Sequence, residues 1–308
     1  MTSALTDGLA WLAIGLFAAA TALDWYDDDR GRGRARYLAA GAWGVFGVFW
    51  LALFPHFAFE QRSFIEGALS FVALPACLYV GYLLLQGRET LFLLSRAVAF
   101  MGLIYMPFTM IAPANEWLIE TVTWQGEFVM RSLGYEFQVV QRDETIRGAY
   151  FFATENHGEF TINVLLACTG LGSMAIFGGL IAAVRAPVRR KLRAIAIAIP
   201  VIWALNLARV VFITLAFSQQ WMQVFVEPTM SLVGYDNPYM VSYFISDRVL
   251  AQSLSVVALV GIAWAVAREV PELLTVGEDV LYVVTGDEYD LHAAVGTERP
   301  VAADGNGE

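Results

Sequence analysis

The stretch AIAIAIPVIWALNLARVVFITLAF, residues 194–217, decides the fold class because it is long and almost wholly apolar. Its only charged side chain is Arg209. A helix needs roughly 20 residues to cross the hydrocarbon core of a bilayer, and this run is long enough. Since no water is present there, the backbone must satisfy its own hydrogen bonds, as a helix does. The stretch is therefore predicted to be a transmembrane helix.

Six further apolar runs have a similar character, and 58% of the 308 residues are hydrophobic while 16% are charged. No soluble domain could bury this much apolar surface. The runs predict an all-α, polytopic integral membrane bundle of about seven transmembrane helices, or eight if residues 115–133 hide another short span. The six lie at residues 5–23, 37–54, 67–85, 97–114, 160–184 and 249–267.

The charge and the metal-binding residue types exclude several function classes. A net charge of -10 removes the basic footprint of a nucleic-acid-binding protein. An acidic composition in which almost all basic residues are arginine is typical of salt-adapted proteomes, such as those of haloarchaea. Two cysteines and three histidines cannot assemble a four-ligand zinc site or a covalent haem attachment, so no metal and no cofactor is expected.

The basic residues also predict the orientation of the chain. Most of them lie in the connections after the first, third and fifth predicted spans and in the tail, and such residues mark the cytoplasmic side. The amino terminus is then outside and the carboxyl terminus inside. The chain then divides into four predicted parts. Residues 1–114 form a four-span part, and residues 115–159 form an extracellular insertion with an amphipathic segment and a possible hairpin. Residues 160–267 form a three-span core, and residues 268–308 form an acidic cytoplasmic tail.

A thiol lies in the sequence ACTGLGS, residues 167–173, inside the fifth predicted span. If that span is helical, Cys168 lies roughly 12 Å below the outer surface, since each residue adds about 1.5 Å. Gly172 would share its helix face and leave room beside the thiol, and Thr169 adjoins it. These two residues are therefore predicted to support Cys168.

Two arginines are predicted at or near the same depth. Arg209 lies eight residues before the end of its span and shares a polar face with Asn206. Arg248 opens the last span on the same side, and Gln252 and Ser255 continue its polar stripe. We expect these faces to line one outward-opening cavity.

This combination of residues indicates nucleophilic chemistry. The thiolate is the reactive form of cysteine, and a nearby guanidinium stabilises it. The Arg209 and Arg248 side chains could also donate hydrogen bonds to an oxyanion that develops when Cys168 attacks a carbonyl. An arginine within the membrane is costly and is a functional candidate by default.

Each residue also has an ordinary structural interpretation. A lone membrane cysteine is usually a packing residue, which is how we interpret Cys77. Arg209 could pair with a lipid phosphate or with Glu159, and Arg248 could extend along a helix end toward the headgroups. His157 lies in the predicted insertion and is interpreted as a surface histidine rather than a base.

The motifs resemble those of the exosortase/archaeosortase family: ACTGLGS in one span, NLAR in the next and an arginine at the start of the following one. The resemblance covers most of the membrane core and is clearest over residues 160–267. It implies a membrane-embedded cysteine transpeptidase in which Cys168 is the nucleophile and Arg209 and Arg248 are its catalytic partners.

The resemblance also implies the substrates. They are secreted proteins, such as an S-layer glycoprotein, whose carboxyl-terminal signal combines a Pro-Gly-Phe motif, a transmembrane helix and a basic cluster. Cleavage of the signal would be followed by transfer to a membrane lipid, and the sequence leaves open hydrolysis instead of transfer. The proton acceptor for the thiol is also open.

The main rival interpretation is a multi-span transporter that binds an anionic substrate through its buried arginines. Against it, no internal inverted repeat is visible, and a transporter has no evident need for Cys168. A retinal protein is excluded because no predicted span contains the lysine that a Schiff base requires.

Overall fold

The computed structural model describes residues 4–26, 29–60, 64–142, 146–154 and 158–296. Their secondary structure is mostly helical, with one three-stranded sheet. The α-helices are α1 Ala4–Tyr26, α2 Asp29–Pro55, α3 Phe64–Leu85, α4 Leu91–Met110, α5 Ala112–Ser132, α6 Leu171–Ala183, α7 Val188–Ser218, α8 Val226–Val233, α9 Met240–Tyr243, α10 Gln252–Glu269, α11 Leu274–Thr285 and α12 Leu291–Val295. The strands are β1 Gln138–Arg142, β2 Ile146–Thr154 and β3 Gly158–Asn163, and π-helical segments cover His56–Glu60 and Phe244–Ala251.

Six of the described helical segments are long and apolar enough to cross a membrane, which confirms the predicted helical membrane fold. They are Ala4–Asp24, Gly33–Glu60, Glu66–Leu85, Leu91–Met110, Val188–Ser218 and Met240–Glu269. Helix α5, at the position of the possible eighth span, is not among them.

The fifth predicted span, residues 160–184, is not one helix, and this part of the sequence prediction was wrong. The chain first forms β3, and α6 begins only at Leu171. Phe160 and Val164 are buried while the residues next to them along the chain are more exposed, which is the alternation of a strand. With 13 residues, α6 is roughly 20 Å long, shorter than the roughly 30 Å of a bilayer core.

The chain divides into two compact units. The first contains the described residues up to Ile104, Ala175–Ala194, and those from Ala267 onward. In its core the rings of Phe17 and Trp43 meet edge to face, with centroids 5.2 Å apart. The indole Nε1 of Trp43 donates to Ser95 Oγ at 2.9 Å, so the buried polar group is satisfied.

Part of the predicted acidic tail is folded into this first unit. Helix α11 carries Asp279, whose side chain is 2% exposed. Its Oδ1 accepts hydrogen bonds from Arg88 Nε and Thr90 Oγ1, both at 2.8 Å. A buried carboxylate needs such donors. The predicted tail thus includes the folded helices α11 and α12, and residues 297–308 lie outside the described part of the chain.

The second unit contains Tyr105–Met174 and Ile195–Val266, apart from the residues that the structure does not describe. Its sheet has the order β1-β2-β3, with antiparallel pairing throughout. Helix α5 lies against β2, and the fully buried Tyr150 donates from its hydroxyl to Thr123 O at 2.8 Å. This sheet and helix position the segment that carries the thiol.

Candidate active site

Cys168 lies where β3 leads into α6, on a 3-10 turn at Leu166–Thr169. The turn is closed locally, because the Cys168 N–H donates to Leu165 O at 2.8 Å and Thr169 Oγ1 donates to Leu166 O at 2.7 Å. The cysteine is partly buried. The prediction that the thiol lies within a continuous helix, at a depth counted in helical residues, was therefore wrong.

Gly170 ends this turn in the left-handed backbone region, with φ at 75°, where side chains are rarely tolerated. A Cβ at Gly170 would lie 3.0 Å from Asn206 Cβ, so α7 packs directly against the turn. The Asn206 amide Nδ2 donates to the Cys168 carbonyl oxygen. Gly172, by contrast, is exposed, and a Cβ there would meet nothing within 4 Å. The glycine at which the turn and α7 approach closely is therefore Gly170, which the sequence analysis did not single out.

A largely buried carboxylate joins the two arginines singled out in the sequence. Arg209 Nη2 donates to Asp247 Oδ1 at 2.7 Å, and Arg248 Nε lies 3.6 Å from Asp247 Oδ2. The Asp247 side chain is 10% exposed. Arg209 is thus balanced by Asp247 and not by Glu159, and the two arginines meet through this shared acid.

The predicted polar stripe of the last span is only partly formed. Arg248 lies in the π-helical segment Phe244–Ala251, whereas Gln252 begins the regular helix α10. Because a π-helix bonds i to i+5, the register differs from the α-helical spacing assumed in the sequence. Ser255 lines the cavity described next, and Gln252 does not.

A cavity of about 100 Å³ adjoins the turn that carries the thiol. Its polar side is formed by Asn206, Arg209 and Ser255 together with Gly170 and Ser173. Its apolar side is formed by aliphatic residues of α7 and α10, namely Ile202, Leu205, Ala258, Leu259 and Ile262. Neither Cys168 nor Arg248 is among the lining residues, so the cavity extends beside the thiol on the Arg209 side.

Three charged groups act electrostatically on the Cys168 thiol: Arg209, Asp247 and Arg142. Arg142 Nη1 donates to Val164 O at 3.1 Å, which places this side chain of β1 at the end of β3. Burial raises the pKa of the Cys168 thiol and Asp247 acts in the same direction, whereas the Arg209 and Arg142 guanidinium groups lower the pKa and would stabilise a thiolate.

Two of these neighbours were missed in the sequence. Asp247 precedes Arg248 directly, and an acid beside an arginine at the edge of an apolar run is a signal that could have been used. Arg142 gave no such signal, because strand pairing brings it to the site. Both cysteines are free, and Cys77 lies in the core of the first unit. His157 lies outside the described residues.

Comparison with known proteins identifies relatives along nearly the whole chain. The model of the transmembrane exosortase family matches residues 5–237. The chain is 50% identical over 309 aligned residues to archaeosortase A of Haloferax volcanii, covering 97% of this chain and 100% of that protein. It is 47% identical to archaeosortase A of Natronomonas pharaonis, covering 93% of this chain and 91% of that protein. No solved structure matches the chain.

Proposed function

The chain belongs to the transmembrane exosortase family, and from this premise we propose that it is a membrane-embedded cysteine transpeptidase. Its substrates in this proposal are secreted proteins that carry a carboxyl-terminal sorting signal, as the resemblance of the ACTGLGS and NLAR motifs to the family implies. The signal consists of a Pro-Gly-Phe motif, a transmembrane helix and a basic cluster, and an S-layer glycoprotein is a representative substrate.

One observation carries the proposal: the turn that holds Cys168 is bound to α7 beside the membrane-embedded Arg209. The Asn206 side chain donates to the Cys168 carbonyl, and Arg209 follows Asn206 by three residues on the same helix. These two residues have i,i+3 spacing and lie on one face of α7. A cysteine that served only packing would have no need of such charged neighbours.

In the first step Cys168 Sγ attacks the scissile carbonyl carbon of the substrate. The C–N bond breaks, the thiol proton passes to the departing amine, and the signal helix leaves with a free amino terminus. The product is a thioester between the substrate acyl group and Cys168. During attack, negative charge develops on the carbonyl oxygen and must be stabilised by hydrogen-bond donors.

Arg209 is the donor that we assign to this oxyanion. Its Nη2 is engaged by Asp247, whereas its Nε has no hydrogen-bond partner among the described residues. An unsatisfied donor at a buried site costs free energy, and a substrate oxygen would satisfy it. Arg248 lies beside the same carboxylate and brings a second positive charge to the site, and we assign it the role of a second catalytic partner.

Asp247 is a positioning residue in this scheme. A planar guanidinium binds a carboxylate in a defined orientation, so the ion pair holds the Arg209 fork in place before the substrate arrives. Asn206 has a similar role toward the thiol, because it ties the backbone of the turn to α7.

In the second step a nucleophile on a membrane lipid, an amine in our proposal, attacks the thioester. The C–S bond breaks, a C–N bond forms, the amine loses a proton, and the thiol is regenerated. Attack by water would give hydrolysis instead. The proposed orientation, with the amino terminus outside and the carboxyl terminus cytoplasmic, places this chemistry on the extracellular side, where both the secreted substrate and lipid headgroups are present.

The proposal is tested by replacing each of the two cysteines with alanine in separate variants. Cys168→Ala should insert and fold but leave a sorting-signal substrate uncleaved, as followed by the substrate's electrophoretic mobility in membranes that carry each variant. Cys77→Ala removes the other thiol, which lies in the core of the first unit, and should process the substrate. Normal cleavage by Cys168→Ala would overturn the assignment.

A further inference from the structure

We propose that a cavity in the first unit, lined by Arg96 and Arg185, is a binding site for a phosphate group. It lies beside the first turns of α4, the connection between α6 and α7, and the helices α11 and α12. None of its lining residues belongs to the Cys168 site, and this inference goes beyond the proposed function.

The cavity has a volume of about 270 Å³ and opens to the surface. Its polar lining comes from Arg96, Arg185, Thr275, His292 and Glu272. The volume is far larger than the roughly 30 Å³ that one water occupies and just below the roughly 300 Å³ at which pockets for drug-sized ligands begin. A small polar group with the first atoms attached to it therefore fits best.

Arg96 is the residue whose buried, incompletely paired charge favours binding of an anion. Its side chain is 11% exposed, and its Nε and Nη1 have no hydrogen-bond partner among the described residues. Burying a guanidinium without full pairing costs free energy. Within the described part of the chain, the carboxylate oxygen that pairs with Arg96 is Asp24 Oδ2, 3.8 Å from Arg96 Nε, which is beyond a hydrogen bond.

The acids nearby do not neutralise the arginines. Asp24 Oδ2 is also 3.7 Å from Arg185 Nη2, so one carboxylate oxygen is shared by two guanidinium groups and hydrogen-bonded by neither. Glu272 is already bound by Arg190 through a direct hydrogen bond. Among the described residues, positive charge thus exceeds negative charge around the cavity, and a bound anion would restore the balance.

Phosphate has the chemistry that fits this lining. A phosphate group presents several oxygens to guanidinium donors, and arginine binds it with defined geometry. The Thr275 hydroxyl offers another donor at the same wall. Arg96 lies five residues from the start of α4, or roughly 7.5 Å along the helix, which is near one end of a membrane-spanning helix. A lipid headgroup and a free phosphate ion can both supply the group at that level.

Two ligand arms identify the source of the phosphate. The full-length protein, delipidated in a phosphate-free detergent, is titrated with inorganic phosphate against potassium chloride of equal ionic strength, and with short-chain phosphatidylglycerol against short-chain phosphatidylcholine. The shift in Tm gives Kd. A saturable rise with inorganic phosphate identifies a free ion, whereas a rise with phosphatidylglycerol alone identifies a lipid headgroup. No rise above the control in either arm would overturn the proposal.

Three arginine variants locate the site. Arg96→Gln should weaken Kd by about tenfold to a hundredfold, the usual loss when a hydrogen bond to a charged group is removed. Arg185→Gln should give a smaller loss, because its side chain is 70% exposed. Arg193→Gln is the matched control, since Arg193 pairs with Glu269 and does not line the cavity. Equal affinity for the phosphate ligand in all three variants would contradict the proposed site. If Arg96→Gln does not fold, an affinity of Arg185→Gln equal to that of the unchanged protein would contradict it.

Discussion

Arg209 Nη2 lies 2.7 Å from Asp247 Oδ1, and this ion pair links α7 to the π-helical segment that precedes α10. The same carboxylate faces Arg248 at 3.6 Å. Two arginines that are 39 positions apart in the sequence are thereby brought to one acid. The geometry makes Asp247 the link on which the orientation of both guanidinium groups depends.

Asp247→Asn keeps the shape of the side chain and removes its charge. Two guanidinium groups then lose their shared counter-charge, so we expect kcat for substrate cleavage to fall by at least about tenfold, because breaking a buried ion pair typically costs several kcal/mol. KM should change less, since Asp247 acts through Arg209. Asp247→Glu should recover part of the loss. Asp287→Asn changes an exposed acid and serves as control; equal rates in Asp247→Asn and this control would refute the positioning role.

Gly170 and Gly172 form a matched pair. Gly170→Ala places a methyl group in a left-handed backbone and 3.0 Å from Asn206, so it should lower the free energy of unfolding by about 1–2 kcal/mol and slow cleavage. Gly172→Ala meets open space and should leave both unchanged. Thermal unfolding and processing assays on the two variants check this. Equal behaviour of the two alanine variants would show that the turn is not held as described.

Arg209→Lys and Arg248→Lys should differ in effect. Lysine keeps the charge but loses the planar fork, and Arg209 uses that fork in a direct hydrogen bond whereas Arg248 faces Asp247 at a longer distance. We therefore expect the larger loss of kcat/KM in Arg209→Lys. Initial cleavage rates at several substrate levels measure it. Wild-type rates in Arg209→Lys would mean that only its charge matters.

Tyr150→Phe tests the packing that supports the site. The variant removes the hydrogen bond to Thr123 O in a fully buried setting and should cost about 1 kcal/mol of unfolding free energy. The expected signal is a lower Tm in detergent. Tyr79→Phe, at a more exposed tyrosine, should leave Tm unchanged. A Tyr150→Phe protein as stable as this control would show that this hydrogen bond does not stabilise the packing of the sheet against α5.

The helical membrane class was predictable because the length of an apolar run is a local property of the sequence. The strand conformation of β3 was harder to predict. Its residues are apolar enough to extend a predicted span, and the strand forms by pairing with β2. The backbone conformation predicted for Cys168 was therefore wrong, since the residue lies on a 3-10 turn. The sequence does carry one signal, because apolar Phe160, Ile162 and Val164 alternate with polar Thr161 and Asn163, and this period of two favours a strand.

The candidate site was predictable to a similar extent. Cys168, Asn206 and Arg209 could be grouped because each departs from its apolar surroundings. The register of Arg248 and Gln252 could not be predicted, because a π-helical segment changes which residues share a face. Arg142 comes from a strand distant in sequence, and no local pattern marks it.

The most direct test of the central claim is mass spectrometry of the protein after reaction with a peptide that carries the sorting signal, quenched at acidic pH. We predict a thioester adduct on the tryptic peptide containing Cys168, which is lost on treatment with hydroxylamine, and no adduct on Cys77. Cleavage of the peptide with no adduct on Cys168 at any time during turnover would contradict the claim that this thiol is the nucleophile.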